Sequence, residues 1–376
     1  MNDRQRFRAQ MHYESVDRCP IWDFGFWDET LDLWREQGMP ADADPDEYFG
    51  MDAQWRSIPI ATRLLPAFDE QLIEDRGETE VVRDGEGVVV HRRKWMRTIP
   101  HYLDWTLKDR ASWREHFVPR LDADTPGRIP DDFAQRCREA RDADRDYPLG
   151  IAAGSMYGVL RNWMGLENIS VLVYDDPDLF EEMTDTLGRL YVTVLSRALA
   201  IAKDNGVTFD YASMWEDMCY SHGPLLGPDM VERYMVAHYV HITELLREYG
   251  VDVVVLDCDG CIDQLMPLWL GAGVNCMFPV EVGTWKADPI AYRQQYGKNL
   301  LMMGGFDKRV LAGTKDAISA EVRRLTPLVE EGGFIPFCDH RVPADVPLDN
   351  YVHYLQEARR VWGKGANLHP MPAGSA

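Results

Sequence analysis

From residue 147 onward the chain repeats one alternation, a short apolar run followed by an amphipathic helical stretch. The runs are YPLGIAAGS, VTFDYASMW, VDVVVLDCD, GVNCMFPVE, NLLMMGGFD and GGFIPFCDH. The stretches between them include PDLFEEMTDTLGRLYVTVLSRALAIAKDNG and GPDMVERYMVAHYVHITELLREYG. A run of four to eight apolar residues bounded by turn formers reads as a buried strand, and apolar residues three and four apart read as a helix with one covered face. Strand, helix, strand, helix requires crossover connections, so the strands lie parallel.

Six such runs, with RCPIWDFGFW at residues 18–27, approach the eight strands of an α/β (β/α)8 TIM barrel. A doubly wound open sheet is the alternative. The barrel is preferred because polar candidates follow several different strands: Asp23, Ser155, Glu216, Asp259, Glu281, Asp307 and His340. A barrel gathers all its strand ends around one mouth, whereas an open sheet spreads them along an edge. In residues 28–145, which otherwise read as N-terminal helices, ETEVVRDGEGVVVHRRKW contains two β-runs around a glycine turn, a β-hairpin insertion. No internal repeat or Gly/Ser linker divides the chain, so one barrel domain is expected over 1–364, with 365–376 a loose tail.

Composition narrows the partners. No 18-residue run lacks charge and the first residues are polar, so a soluble, cytoplasmic protein without a signal segment is expected. Forty Lys and Arg against sixty-two Asp and Glu leave a net charge of −22. That surface repels nucleic acid and anionic membranes, leaving a small-molecule substrate as the natural partner. Seven cysteines without a paired CxxC pattern read as reduced thiols. No phosphate-binding GxxxxGK[ST] or GxGxxG occurs.

The candidate chemistry sits at strand ends. In VDVVVLDCDG, period-two alternation puts Val253, Val255, Asp257 and Asp259 on one side. Two carboxylates so close repel unless a cation or a shared proton compensates, which points to a metal or a raised pKa. Alternatively Asp259 caps the following helix, or Asp257-Cys258-Asp259-Gly260 is a phosphotransferase-type DxDG loop, although that loop normally follows the first strand of its fold. Cys338-Asp339-His340 ends the last strand before Pro343, and His340 there can bind a metal or exchange protons. Glu216, in SMWEDMCY, is an acid, base or ligand, or a loop carboxylate bonded to backbone. Trp22, Trp27, Tyr157 and Trp215 are candidates to line an apolar pocket, with Asp23 and Glu281 as its polar contacts.

The order of these motifs resembles the uroporphyrinogen decarboxylase superfamily over nearly the whole chain. The resemblance is carried by RFRAQMHYESVDRCPIWDFGFW, WEDMCYSHGPLLGPDMVERYM, DCDGCIDQLMPLWLGAGVNCMFPVE, YGKNLLMMGGFDKRVL and GGFIPFCDHRVPADVPLDNYVHYL. It implies a (β/α)8 barrel and either porphyrinogen decarboxylation or corrinoid-linked methyl transfer to a thiol or tetrahydrofolate. The decarboxylase resembles PVWxMRQAGR at its first strand, where this chain reads PIWDFGFWDE without arginine, so a polyanionic porphyrinogen is disfavoured. The methyltransferase branch has HxCG and a later Cys that hold zinc. Aligned on Gly260, its His and Cys fall on Asp257 and Asp259, and the later Cys falls near His340.

The resemblance thus implies a methyltransferase-like enzyme with Asp257, Asp259 and His340 as candidate metal ligands, and Glu216, Asp259 and His340 as candidate catalytic groups. It implies a divalent metal, zinc by resemblance, and a corrinoid supplied by a carrier protein; a homo-oligomer is compatible. The alternatives are a decarboxylase or lyase on a small non-porphyrin substrate and a non-catalytic binding relative.

Overall fold

The computed structural model describes residues 1–95 and 99–363; the tail expected at 365–376 lies outside the described residues. Chain order begins with the helix Asp3–Met11, capped by Asn2. Its Phe7 and Met11 enter a cluster with Trp22, Tyr211, Val253, Val255, Phe278, Met303 and Phe337, so this helix plugs one end of the barrel interior. Gln10 fastens the plug by donating to the carbonyls of Val329 and Phe334.

The expected hairpin is part of a larger sheet. Strands β1 (Gln71–Asp75), β2 (Thr79–Arg83), β3 (Val88–Arg93) and β4 (His101–Trp105) pair antiparallel in that order. A two-stranded hairpin is marginal alone, and the added strands supply the missing pairing. Both added strands are largely exposed, so neither carries the apolar alternation that marks a strand in sequence.

The barrel strands follow: β5 (Gly150–Gly154) and β6 (Tyr211–Trp215), a two-residue pair β7 (Cys219–Tyr220) and β8 (Gly223–Pro224), then β9 (Val254–Asp257), β10 (Cys276–Val280), β11 (Leu301–Phe306) and β12 (Phe334–Cys338). Six of them form one parallel sheet in the order β12-β11-β10-β9-β6-β5, as the alternation requires. Two extended segments join its ends. Residues 20–27 bridge Phe26 to Val342 beyond β12, and residues 52–58 bridge Ser57 to Gly150 at the start of β5. Asp52 N–H donates to Ile21 O at 3.0 Å, linking the two segments to each other. The buried Arg18 guanidinium donates to both Asp52 carboxylate oxygens across the same seam. The ring therefore has eight staves, a (β/α)8 barrel.

Alternation then sorts the side chains. In β9, Val255 points into the barrel while Val254 and Leu256 face the helical layer. The long helix Pro177–Asp204, with Asp176 accepting at its N-cap, and the helices Val236–Glu248, Lys315–Glu331 and Leu348–Trp362 cover the outer face.

Candidate functional site

Above the plugged interior, at the C-terminal ends of the strands, lies a cavity of about 470 Å³. This is where barrels of this kind place their chemistry, and the volume suits one small molecule. Phe24, Trp55, Trp215 and Phe278 supply aromatic wall, Arg63 and Arg341 supply positive charge, and Asp257 supplies a carboxyl group.

Asp257 ends β9 on the inward side of the alternation, directly beyond Val255. Among the described residues its carboxyl has no hydrogen-bond partner. Burial pushes it well above the usual carboxylate range, the negative charges of Asp259 and Asp217 add to that, and Arg341 opposes them. Burial therefore favours the proton-bearing form of Asp257.

His340 stands at the end of β12, with Nε2 3.3 Å from Asp259 Oδ2. Burial works against its protonated form, but the hydrogen bond and charge of Asp259 outweigh it, so its pKa is raised. Trp27 stacks on the imidazole at 5.9 Å and Phe24 meets it edge-on at 5.5 Å. Asp259 Oδ1 is buried without a partner. Asp259 does not cap a helix: the next one begins at Met266 with Leu265 at its N-cap. Gly260 turns the chain there at φ +88°, and a Cβ on it would lie 2.8 Å from the Cys219 carbonyl carbon.

A polar clasp ties this turn to its neighbours. Glu281, after β10, accepts from Gly260 N–H at 3.0 Å, from Thr284 Oγ1, and from Lys308 Nζ at 3.0 Å. Asp339 accepts from the backbone N–H groups of Gly283 and Lys308, and burial pushes its pKa up to about 6 against the opposing charge of Lys308. The loops after β9, β10, β11 and β12 are thereby held together, with Glu281 positioning them.

Other sequence candidates sit elsewhere. Trp215 lines the cavity, with the Arg63 and Arg161 guanidinium carbons 5.4 Å and 5.6 Å from its ring centroid. Trp22 is instead packed in the interior, stacked on Phe7 at 5.1 Å. Asp23 faces the outer layer, accepting from Tyr351 OH at 2.7 Å. Tyr157 is buried at the start of the helix Tyr157–Met164. Glu216 is fully buried beside that helix, accepting from the N–H groups of Met156, Tyr157 and Gly158 and from Tyr239 OH. Of its two readings, the structure presents the backbone-bonded carboxylate, which anchors a helix start. Ser155 lines the cavity, and Asp307 caps the short helix Lys308–Leu311.

Sequence reasoning missed the cavity's cations and part of its aromatic wall. An arginine-free first strand does not leave the site without positive charge, because Arg63 and Arg341 arrive from other segments. Arg341 adjoins His340, so its strand-end position was an available signal. Trp55 lies in, and Arg63 follows, an irregular stave with no apolar alternation. Trp55 itself has φ +52°, a conformation that signals local constraint and has no mark in sequence.

The donor set does not fit zinc. Among the described residues no three His, Cys, Asp or Glu side chains are arranged to hold a metal ion. Asp259 and His340 supply two donors, while the thiols of Cys258 and Cys338 are buried in the outer core, where burial raises both. No cysteine is among the described residues that line the cavity.

A family model described as uroporphyrinogen decarboxylase (URO-D) matches residues 124–361. Among solved structures, the chain is similar in fold to a methyltransferase from Methanosarcina mazei, with TM-score 0.57 and 16% sequence identity over 96% of this chain and 99% of that one. No curated protein matches at a significant level. No helix among the described residues is long and apolar enough to cross a membrane.

Proposed function

Starting from a chain that belongs to the uroporphyrinogen decarboxylase family, we propose that it is an enzyme moving a methyl group between a corrinoid on a carrier protein and a small molecule in the cavity. The observation that carries this reading is a small aromatic cavity lined by the Asp257 carboxyl at the end of β9, which has no hydrogen-bond partner among the described residues and whose proton-bearing form burial favours. The similar fold of a methyltransferase supports it.

Methyl transfer away from an oxygen or nitrogen leaves the bonding pair on that heteroatom. Asp257 gives it a proton as the bond to carbon breaks; in the reverse direction the resulting carboxylate takes that proton back. The Asp259–His340 pair is a second proton-handling couple, exchanging the Asp257 proton with solvent at the mouth. Trp215 and Phe24 hold the small molecule in line, and Trp27 holds the imidazole. No metal is required. A lyase reading draws on the same acid: Asp257 protonates the carbon left by departing carbon dioxide.

The test follows the corrinoid spectrum when methylcobalamin is incubated with the protein and a panel of thiol, tetrahydrofolate-like and hydroxyl acceptors. Demethylation is expected with wild type and a loss of about 10²-fold or more with Asp257→Asn, the usual contribution of a general acid or base. Carbon dioxide release without any corrinoid change would establish the lyase instead. Equal turnover by Asp257→Asn would remove the proton-transfer role.

A further inference from the structure

The cavity contains two guanidinium groups in different electrostatic states. Arg63 is ion-paired with Glu86. Arg341 has no ion pair among the described residues; its guanidinium carbon lies 5.1 Å from the Phe24 ring centroid and 5.6 Å from that of Trp27. By contrast, Arg18 is ion-paired with Asp52, Arg145 with Asp210 and Arg161 with Asp217. A guanidinium fork presents its donors at the edge, and stacking on aromatic faces fixes its plane while leaving that edge free. Gly25 makes room for it, since a Cβ there would come within 3.3 Å of Arg341 Nη1 at φ +110°.

We propose that Arg341 anchors the substrate by a single planar carboxylate, and that the cavity takes small aromatic or otherwise flat monocarboxylates. This rests on the cavity being the substrate site, as proposed above, but not on which reaction follows. Flatness follows from the walls, where Phe24, Trp55, Trp215 and Phe278 offer ring surface to the same space. A single negative charge follows from the count of cations at the cavity without an ion pair among the described residues, one. Extra negative charge would meet Asp259 and Asp217, whose fields already reach Asp257. A carboxylate matches the fork in bidentate geometry, so one side chain neutralises and orients the ligand together. Arg341 is on this reading a specificity residue, directing the other end of the molecule toward Asp257.

The test is equilibrium binding at pH 7.5 without corrinoid, followed by calorimetry and tryptophan fluorescence. The probes are benzoate, its neutral isostere benzamide, and phenyl phosphate. Wild type is expected to bind benzoate at least tenfold more tightly than benzamide and more tightly than phenyl phosphate. Arg341→Gln should lose that preference while keeping its affinity for benzamide, which shows that the cavity is intact. Arg341→Lys should retain a weakened preference. Equal affinity for benzoate and benzamide, tighter binding of phenyl phosphate, no binding of any probe, or an unchanged preference in Arg341→Gln would each overturn the proposal. A corrinoid assay that fails while the benzoate preference stands removes the methyl-transfer reading alone.

Discussion

Asp23 offers a test of the fold's electrostatics that is independent of catalysis. It is fully buried between the first stave and the helix Leu348–Trp362, where it accepts from Tyr351 OH at 2.7 Å and Gly25 N–H at 3.0 Å. Burial pushes its carboxyl up to about 7, with those hydrogen bonds opposing the shift. Its folded pKa thus lies above the unfolded value of 3.8, so the native state binds the extra proton and stability falls as pH rises through the window from about 4 to about 7. A rise of about 3 units at about 1.4 kcal/mol each makes the carboxylate form cost about 4 kcal/mol above that window. Asp23→Asn cannot ionise and avoids this cost. It sacrifices part of the hydrogen bonding, about 1 kcal/mol at any pH. The variant should therefore be slightly less stable than wild type at pH 4 and more stable by about 3 kcal/mol at pH 8. For 376 residues, an unfolding entropy near 0.8 kcal/mol/K converts the swing of about 4 kcal/mol into about 5 °C of melting temperature. Thermal unfolding of both proteins at pH 4, 6 and 8 measures it, and titrations common to both cancel in the difference. A wild-type-minus-variant difference that stays constant across that range would refute the reasoning.

Two further outcomes follow from the structure. Asp210 is completely buried and accepts from Arg4, Arg8, Arg145 and the Leu149 N–H, so Asp210→Ala should cost about 3–5 kcal/mol, measured by urea unfolding. A loss below 1 kcal/mol would contradict a buried ion cluster under the barrel. Because the donors do not form a metal set, dialysis against a chelator should change neither the melting temperature nor benzoate binding. Stoichiometric zinc that disappears in Asp259→Ala would reverse that conclusion.

The legible parts of this fold are those governed by local periodicity. Six barrel strands and their covering helices follow from apolar runs and helical spacing, because each buries a face set by backbone geometry alone. The stave at residues 52–58 was not legible. It is short, irregular and joined to its neighbours by isolated bridges, so it has too few paired positions to impose alternation. The outer strands of the inserted sheet were hidden for the opposite reason, being exposed on nearly every residue.

The site divides along similar lines. Sequence alone placed Asp257 on the inward side of β9 and His340 at a strand end, since both statements need only pleat parity and a proline turn. Tertiary structure decided what surrounds them. It buried Asp257 without a hydrogen-bond partner among the described residues, put Asp259 beside His340, committed Glu216 to a helix start, and brought Arg341 over Phe24 and Trp27. Charge state and partner choice depend on burial and on side chains hundreds of residues apart, distances that no local pattern encodes.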